Sequence, residues 1–265
     1  MSLITWIIIF SLIGGVLSVI AAGLFLLIPK AKRNSLLPHM VSFAIGALLG
    51  AAFLGLLPHA LNSSVSGDAH GIMKTTLFGI LTFFVLEKLV LWRHCHSFEC
   101  EVHGAEDHEH QQEHQHSAPA GTLVLVGDAV HNFVDGILIA AAFMTDIHLG
   151  VVTALAVAAH EIPQEVGDFA ILLDSGFSRL KAFLFNILAS LTTVVGALLA
   201  YYGLQEVQEY VPYVLAIAAS SFIYVAVADL IPGLHKRTEV IESLRQIVLI
   251  ASGVLVIYFA HSQLH

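Results

Sequence analysis

The chain has 265 residues, of which 57% are hydrophobic and 12% charged, where a soluble domain carries roughly 25% charged residues. A water-soluble fold of this size must still cover a wet surface, so the shortfall excludes an ordinary soluble globule and points to a bilayer, which needs apolar runs of about 20 residues. The net charge is -9 with only 11 Lys and Arg, which argues against nucleic acid as a partner.

Eight apolar segments follow one another, at roughly 4–28, 36–61, 72–92, 121–144, 147–173, 181–203, 211–232 and 244–264, each long enough to cross as a helix. The expected architecture is all-α, a single polytopic transmembrane domain over 1–265. The first run has no basic stretch before it and is too long for a signal peptide, so it reads as a retained span. Gly14 with Ser18, and Gly46 with Gly50 on the second span, are small-residue pairs that favour close helix contact. The second span ends near His59, and the third carries Glu87 toward its end.

Residues 94–120 differ in kind. They show no periodicity and hold seven histidines: His94, His96, His103, His108, His110, His114 and His116. Such tracts bind borderline metals weakly and in many arrangements, although a merely solvating loop is the plain alternative. Cys95 and Cys100 flank this stretch at a spacing that is neither a zinc nor a redox signature. They are at most extra ligands beside the histidines.

Of the eleven basic residues, all but Lys74 fall on one side of an eight-span threading: Lys30, Lys32 and Arg33, then Lys88 and Arg93, then Arg179 and Lys181, then Lys236, Arg237 and Arg245. That side is expected to be cytoplasmic, with both termini outside and the His-rich loop inside. The expected location is the plasma (inner) membrane of a prokaryote.

Chemistry concentrates on the fourth and fifth spans, because an ionisable residue in hydrocarbon costs several kcal/mol unless paired, hydrated or metal-bound. Span four reads GDAVHNFVDG, with Asp128, His131, Asn132 and Asp135 spaced three and four apart along one stripe. Span five reads HEIPQEVGD. His160, Gln164 and Asp168 form one i,i+4 series, and Glu161 and Glu165 a second. Pro163 lies between them and is expected to kink the helix or free a carbonyl. Facing stripes of imidazole and carboxylate suit zinc, iron, manganese or cobalt rather than magnesium or calcium. A proton relay uses the same residue types, and a ligand-free polar network is the third reading.

HNFVDG and HEIPQEVGD, with eight spans and a His-rich loop between the third and fourth, resemble the ZIP (Zrt/Irt-like) family of divalent metal transporters. The resemblance implies a paired metal site between spans four and five and transport toward the cytosol, with Zn2+ as substrate and Fe2+, Mn2+, Cd2+ or Co2+ as further cargo. It implies His131 and Asp135 from span four and His160, Gln164 and Glu165 from span five at the first position. Asn132 and Glu161 belong to the second, with Asn186 on span six as a further candidate. Asp128, Asp168, His59, Glu87 and Asp229 are candidates for the site or its path. A homodimer is the family expectation.

The chain departs from the pattern at Gln164, where the nearest subgroup carries histidine, and at Ala51 and Gly55, where relatives carry an acid and a histidine. Weaker binding at the first position, or a shift toward His160 and Glu161, is expected. Two rivals stand beside transport inward. HEIPQ resembles HExxH with its second histidine missing, the pattern of a zinc hydrolase. An exporter or a metal sensor would carry the same static ligands. His39, His148, His235, His261 and His265 lie at segment ends and read as surface histidines.

Overall fold

The computed structural model describes residues 1–62, 69–95, 118–235 and 239–262, with backbone alone for 89–95 and 118–120. Eight continuous helical stretches run in chain order: α1 (Leu3–Phe25), α2 (Lys30–Asn62), α3 (Ala69–Cys95), α4 (Ala118–Thr145), α5 (Ile147–Asp174), α6 (Arg179–Leu204), α7 (Gln208–Leu234) and α8 (Val240–Ser262). Among the described residues, seven of these are long and apolar enough to cross a membrane. The remaining one, α5, is as long but carries the polar stripe. The protein is therefore an all-α polytopic membrane bundle.

The helices outrun the apolar segments at several ends. α2 begins at Lys30 and takes Lys32 and Arg33 into its first turns, and α3 continues to Cys95. Hydropathy marks the lipid-facing zone, whereas the hydrogen-bond ladder continues into polar flanks until a cap ends it. His94 and Cys95 thus fall on the last turn of α3, and α4 restarts at Ala118. His96, His103, His108, His110, His114, His116 and Cys100 lie outside the described residues.

The ends of α5 are sharply set. Asp146 caps its start, its Oδ1 accepting from the backbone N–H groups of His148 at 2.8 Å and Leu149 at 3.0 Å. Burial acts to raise the Asp146 pKa, but these two donors outweigh it and hold the carboxyl below its usual range. At the other end, Gly176 adopts φ 87°. The N–H of Gly176 reaches Leu173 O and that of Phe177 reaches Leu172 O, each at 3.0 Å, which closes the helix before Ser178 opens α6. Between these caps α5 runs unbroken through Pro163.

Two helix groups are evident. α4 packs closely against α6, and both pack with α1 and α5; α2 packs against α8, and α3 against α7. α5 joins the groups by contacting α2 and α8 as well as α1, α4 and α6. The α4–α6 crossing depends on Gly136 and Gly196: a Cβ on the first would overlap the Thr193 carbonyl and on the second the Phe133 carbonyl. Gly46 likewise lies against the Ile250 carbonyl and Gly50 against Ile257, so this small-residue pair seats α8 inside the chain. One-turn π-helical segments interrupt α1 at Ile13–Leu17, α2 at Ala51–Leu56 and α7 at Val225–Leu230. The outer faces of α3 and α8 expose apolar side chains such as Phe78, Leu81, Ile247 and Val248, as a lipid-facing surface does.

Candidate metal centre

The stripes of α4 and α5 face each other in the middle of the bundle. His131 and Asp135 come from α4, and His160 and Glu161 from α5. The Nε2 atoms of His131 and His160 are 3.2 Å apart. His131 Nε2 lies 3.2 Å from Glu161 Oε1 and 3.8 Å from Asp135 Oδ2. His160 Nε2 lies 3.4 Å from Asp135 Oδ2 and 3.6 Å from Glu161 Oε1. A tetrahedral zinc site with bonds of about 2.0–2.1 Å has edges near ~3.3–3.4 Å, and these distances cluster around that value.

The ring orientation agrees. His160 Nδ1 is 3.1 Å from the Ala156 carbonyl, which can only accept. A neutral His160 therefore carries its proton on Nδ1 and turns the Nε2 lone pair to the centre. Phe222 of α7 packs edge-on against the same ring, at 6.2 Å between centroids. His160 and Asp135 are each 1% exposed and Glu161 fully buried, and neither carboxylate oxygen of Asp135 or Glu161 has a hydrogen-bond partner. Buried carboxylates normally find partners, and these oxygens, facing two imidazoles at 3.2–3.8 Å, suit a bound cation.

A second group adjoins the first through Glu161. Asp128, Glu161 and Glu165 each offer a carboxylate oxygen, and these oxygens lie within 4.8 Å of one another. Glu165 is fully buried with both oxygens unpartnered, as is Asp128 Oδ2. Asn132 lies beside this group as a brace: its Nδ2 donates to Asp128 Oδ1 at 2.9 Å, and its Oδ1 accepts from Thr193 Oγ1 at 2.8 Å. Asn186 of α6 is fully buried with neither side-chain polar atom hydrogen-bonded.

The structure brings together His131, Asp135, His160 and Glu161, with Asp128 and Glu165 adjoining. Gln164 is half-buried one turn after His160, and Asp168 is half-buried one turn further on. Glu87 is exposed and accepts a hydrogen bond from Tyr224, and Asp229 is exposed within the π-helical turn of α7. His59 lies at the far end of α2, its Nδ1 2.9 Å from the Gly55 carbonyl. Reading the sequence span by span missed Thr193, although Asn186, Ser190 and Thr193 already form a polar i, i+4, i+7 face on α6.

The ZIP Zinc transporter family model matches residues 2–261. The chain belongs to the ZIP family. Among its ZIP relatives are zinc transporter ZIP13 of Pongo abelii, 32% identical over 232 residues, covering 83% of this chain and 65% of that protein, and zinc transporter ZIP13 of Mus musculus, 31% identical over 247 residues, covering 83% of this chain and 68% of that protein. The ZIP13 homolog of Drosophila melanogaster is 28% identical over 308 residues, covering 93% of the chain and 86% of that protein. The chain therefore spans just under two thirds of the first of these relatives. ZIP proteins are transporters of divalent metal ions across membranes and not enzymes, which closes the hydrolase reading of HEIPQ.

Proposed function

We propose that this chain carries Zn2+ as its substrate across the membrane toward the cytosol, holding it at His131, Asp135, His160 and Glu161, with a second position at Asp128, Glu161 and Glu165. The observation that carries the reading is the set of His–His and His–carboxylate distances of 3.2–3.8 Å around one buried point. Two imidazoles with carboxylates also accept Fe2+, Mn2+, Co2+ and Cd2+, so these are proposed as competing cargo. The shared Glu161 offers a short step from the mixed position to the all-carboxylate position, where binding of a borderline ion is weaker and release easier.

The two helix groups supply the moving parts. α5 and α4 carry the ligands in one group, while α2 and α7 cover them from the other, so rocking one group against the other exposes the ion to alternate sides. Charge placement favours eight spans with both termini outside, which puts the His-rich loop on the receiving side. The proposed compartment is the plasma membrane; the relatives cited here are animal proteins, and a prokaryotic source draws no support from them. A homodimer is proposed through the exposed apolar faces of α3 and α8, because the Gly46–Gly50 stripe is already used inside the chain.

The test is zinc flux into vesicles holding the purified full chain. His131→Ala and His160→Ala should each cut uptake at least tenfold, whereas unchanged uptake in either would sink the assignment. Flux in the opposite direction under the same gradient would favour an exporter.

A further inference from the structure

The metal stripe takes one face of α4. Along another face, α4 and α6 leave an apolar groove of about 540 Å³ between them. Val126, Ala129 and Val130 of α4 and Phe185, Leu188 and Thr192 of α6 form much of its wall, and Val126, Val130 and Leu188 are each more than half exposed. Thr192 turns its hydroxyl onto the Ala129 and Ala189 carbonyls, each at 2.6 Å, so its donor is already spent across the helix crossing. The volume lies within the range of small-molecule sites, and walls of this kind suit an alkyl chain rather than a polar solute.

A cation stands over one end of the groove. Lys181, Phe185, Leu188 and Thr192 are spaced i, i+4, i+7 and i+11 and share one stripe of α6. Lys181 lies in the first turn of that helix, its backbone N–H on Ser178 Oγ at 3.4 Å, and its side chain is exposed, as is that of Arg179. Between Asp174 and Glu206 the chain carries these two bases and no acid, and α4 carries no acid before the buried Asp128. The rim at this end is therefore cationic, and the positive end of the α6 dipole adds to it. The length agrees as well. Lys181 and Thr192 are 11 positions apart, roughly 16 Å along a helix axis, and one leaflet supplies about half of a ~30 Å hydrocarbon core.

We propose that the α4–α6 groove holds one acyl chain of an anionic phospholipid from the leaflet on the basic side, with the lipid phosphate at Lys181 and Arg179. Basic pockets between spans hold anionic headgroups in this way. A zwitterionic lipid fits the groove but leaves the rim charge unbalanced. A second copy of the chain, related by a twofold axis along the membrane normal, would bring two Lys181–Arg179 pairs to the same level, like charge on like charge. The bound chain covers the seam where Thr192 ties α4 to α6, beside the helix that carries His131 and Asp135. The binding needs only the membrane bundle and this seam, so it stands apart from the zinc reading.

The experiment is photolabelling. The full chain is placed in nanodiscs of phosphatidylcholine with a trace of phosphatidylglycerol that carries a diazirine in one acyl chain, and the labelled residues are mapped by mass spectrometry. Label should concentrate on 126–130 and 185–192 at least fivefold over α3 and α8, and unlabelled phosphatidylglycerol should displace it. A phosphatidylcholine probe with the same diazirine should show no such concentration. Lys181→Ala should lower groove labelling about fivefold, the effect of one basic residue near an anionic surface, and Lys181→Arg should keep it. Lys30→Ala, which removes a base on the same side that does not line the groove, should stay within twofold. Ala129→Phe, which fills the floor, should abolish groove labelling, and Leu188→Trp takes its place if that variant fails to fold. The proposal is overturned if label spreads evenly over the groove, α3 and α8, if the two probes label the groove alike, or if Lys30→Ala weakens labelling as much as Lys181→Ala. It is equally overturned if the groove stays unlabelled, whether empty or covered by a second copy of the chain.

Discussion

Replacing Thr193 with Val tests whether the second metal position depends on a brace from a third helix. Thr193 is fully buried and its Oγ1 donates to Asn132 Oδ1 at 2.8 Å; Asn132 is 1% exposed and passes the restraint to Asp128 Oδ1 at 2.9 Å. Valine keeps the shape and deletes the donor. A buried acceptor left unpaired costs about 1–3 kcal/mol, which at 1.4 kcal/mol per decade is roughly 5- to 150-fold in an equilibrium constant. Part of that cost falls on the metal-free fold. The expected loss of zinc affinity is therefore about tenfold, at the lower edge of what groups that orient ligands contribute. Isothermal titration with zinc and the half-saturating zinc concentration in vesicle flux both read it. Thr193→Ser keeps the hydroxyl and should stay within about twofold of the parent, because the donor survives. Wild-type affinity in the Val variant, or an equal loss in the Ser variant, would refute the bracing argument.

Gln164→His adds an imidazole four residues after His160 and should tighten zinc binding about tenfold in the same titration, provided the position faces the centre. Gly136→Ala forces a Cβ into the Thr193 carbonyl. It should lower stability by about 1–3 kcal/mol or more and depress uptake, while Gly127→Ala, which meets nothing within 4 Å, should leave the thermal midpoint near wild type. Asp146→Ala removes the α5 cap and should cost about 1 kcal/mol. The Asp146 pKa is depressed in the fold, so its contribution is present above the unfolded value near ~3.9 and is lost as pH falls through the lower folded value. The gap between wild type and variant in thermal unfolding should then be flat from about pH 5 to 8 and close only below about pH 4; a gap that opens or closes near neutrality would count against the cap.

What could be read from sequence and what could not divide along a physical line. The stripes Asp128–His131–Asn132–Asp135 and His160–Glu161–Glu165 are local facts, because helical spacing alone puts those side chains on one face of each span. That the two faces meet is a tertiary fact, and only the cost of stranded charge in lipid argued for it in advance. The same limit explains Thr193. Its hydroxyl reaches Asn132 because α4 and α6 cross at Gly136 and Gly196, where each glycine lies on the other helix's backbone, and nothing in a GAL or VDG tripeptide says which helix it will touch. Gly46 and Gly50 show the ambiguity from the other side: the same spacing serves contact between chains or within one, and here α8 takes it. Long separation hides contacts for the same reason. His59 and His261 each end a span, the first read from sequence as a path candidate and the second as a surface histidine, yet the α2–α8 contact seated on Gly46 brings the two rings together. A substitution that splays α2 from α8 at Gly46 should therefore disturb the His59–His261 ring contact before it reaches the His131–His160 contact, which sits on α4 and α5.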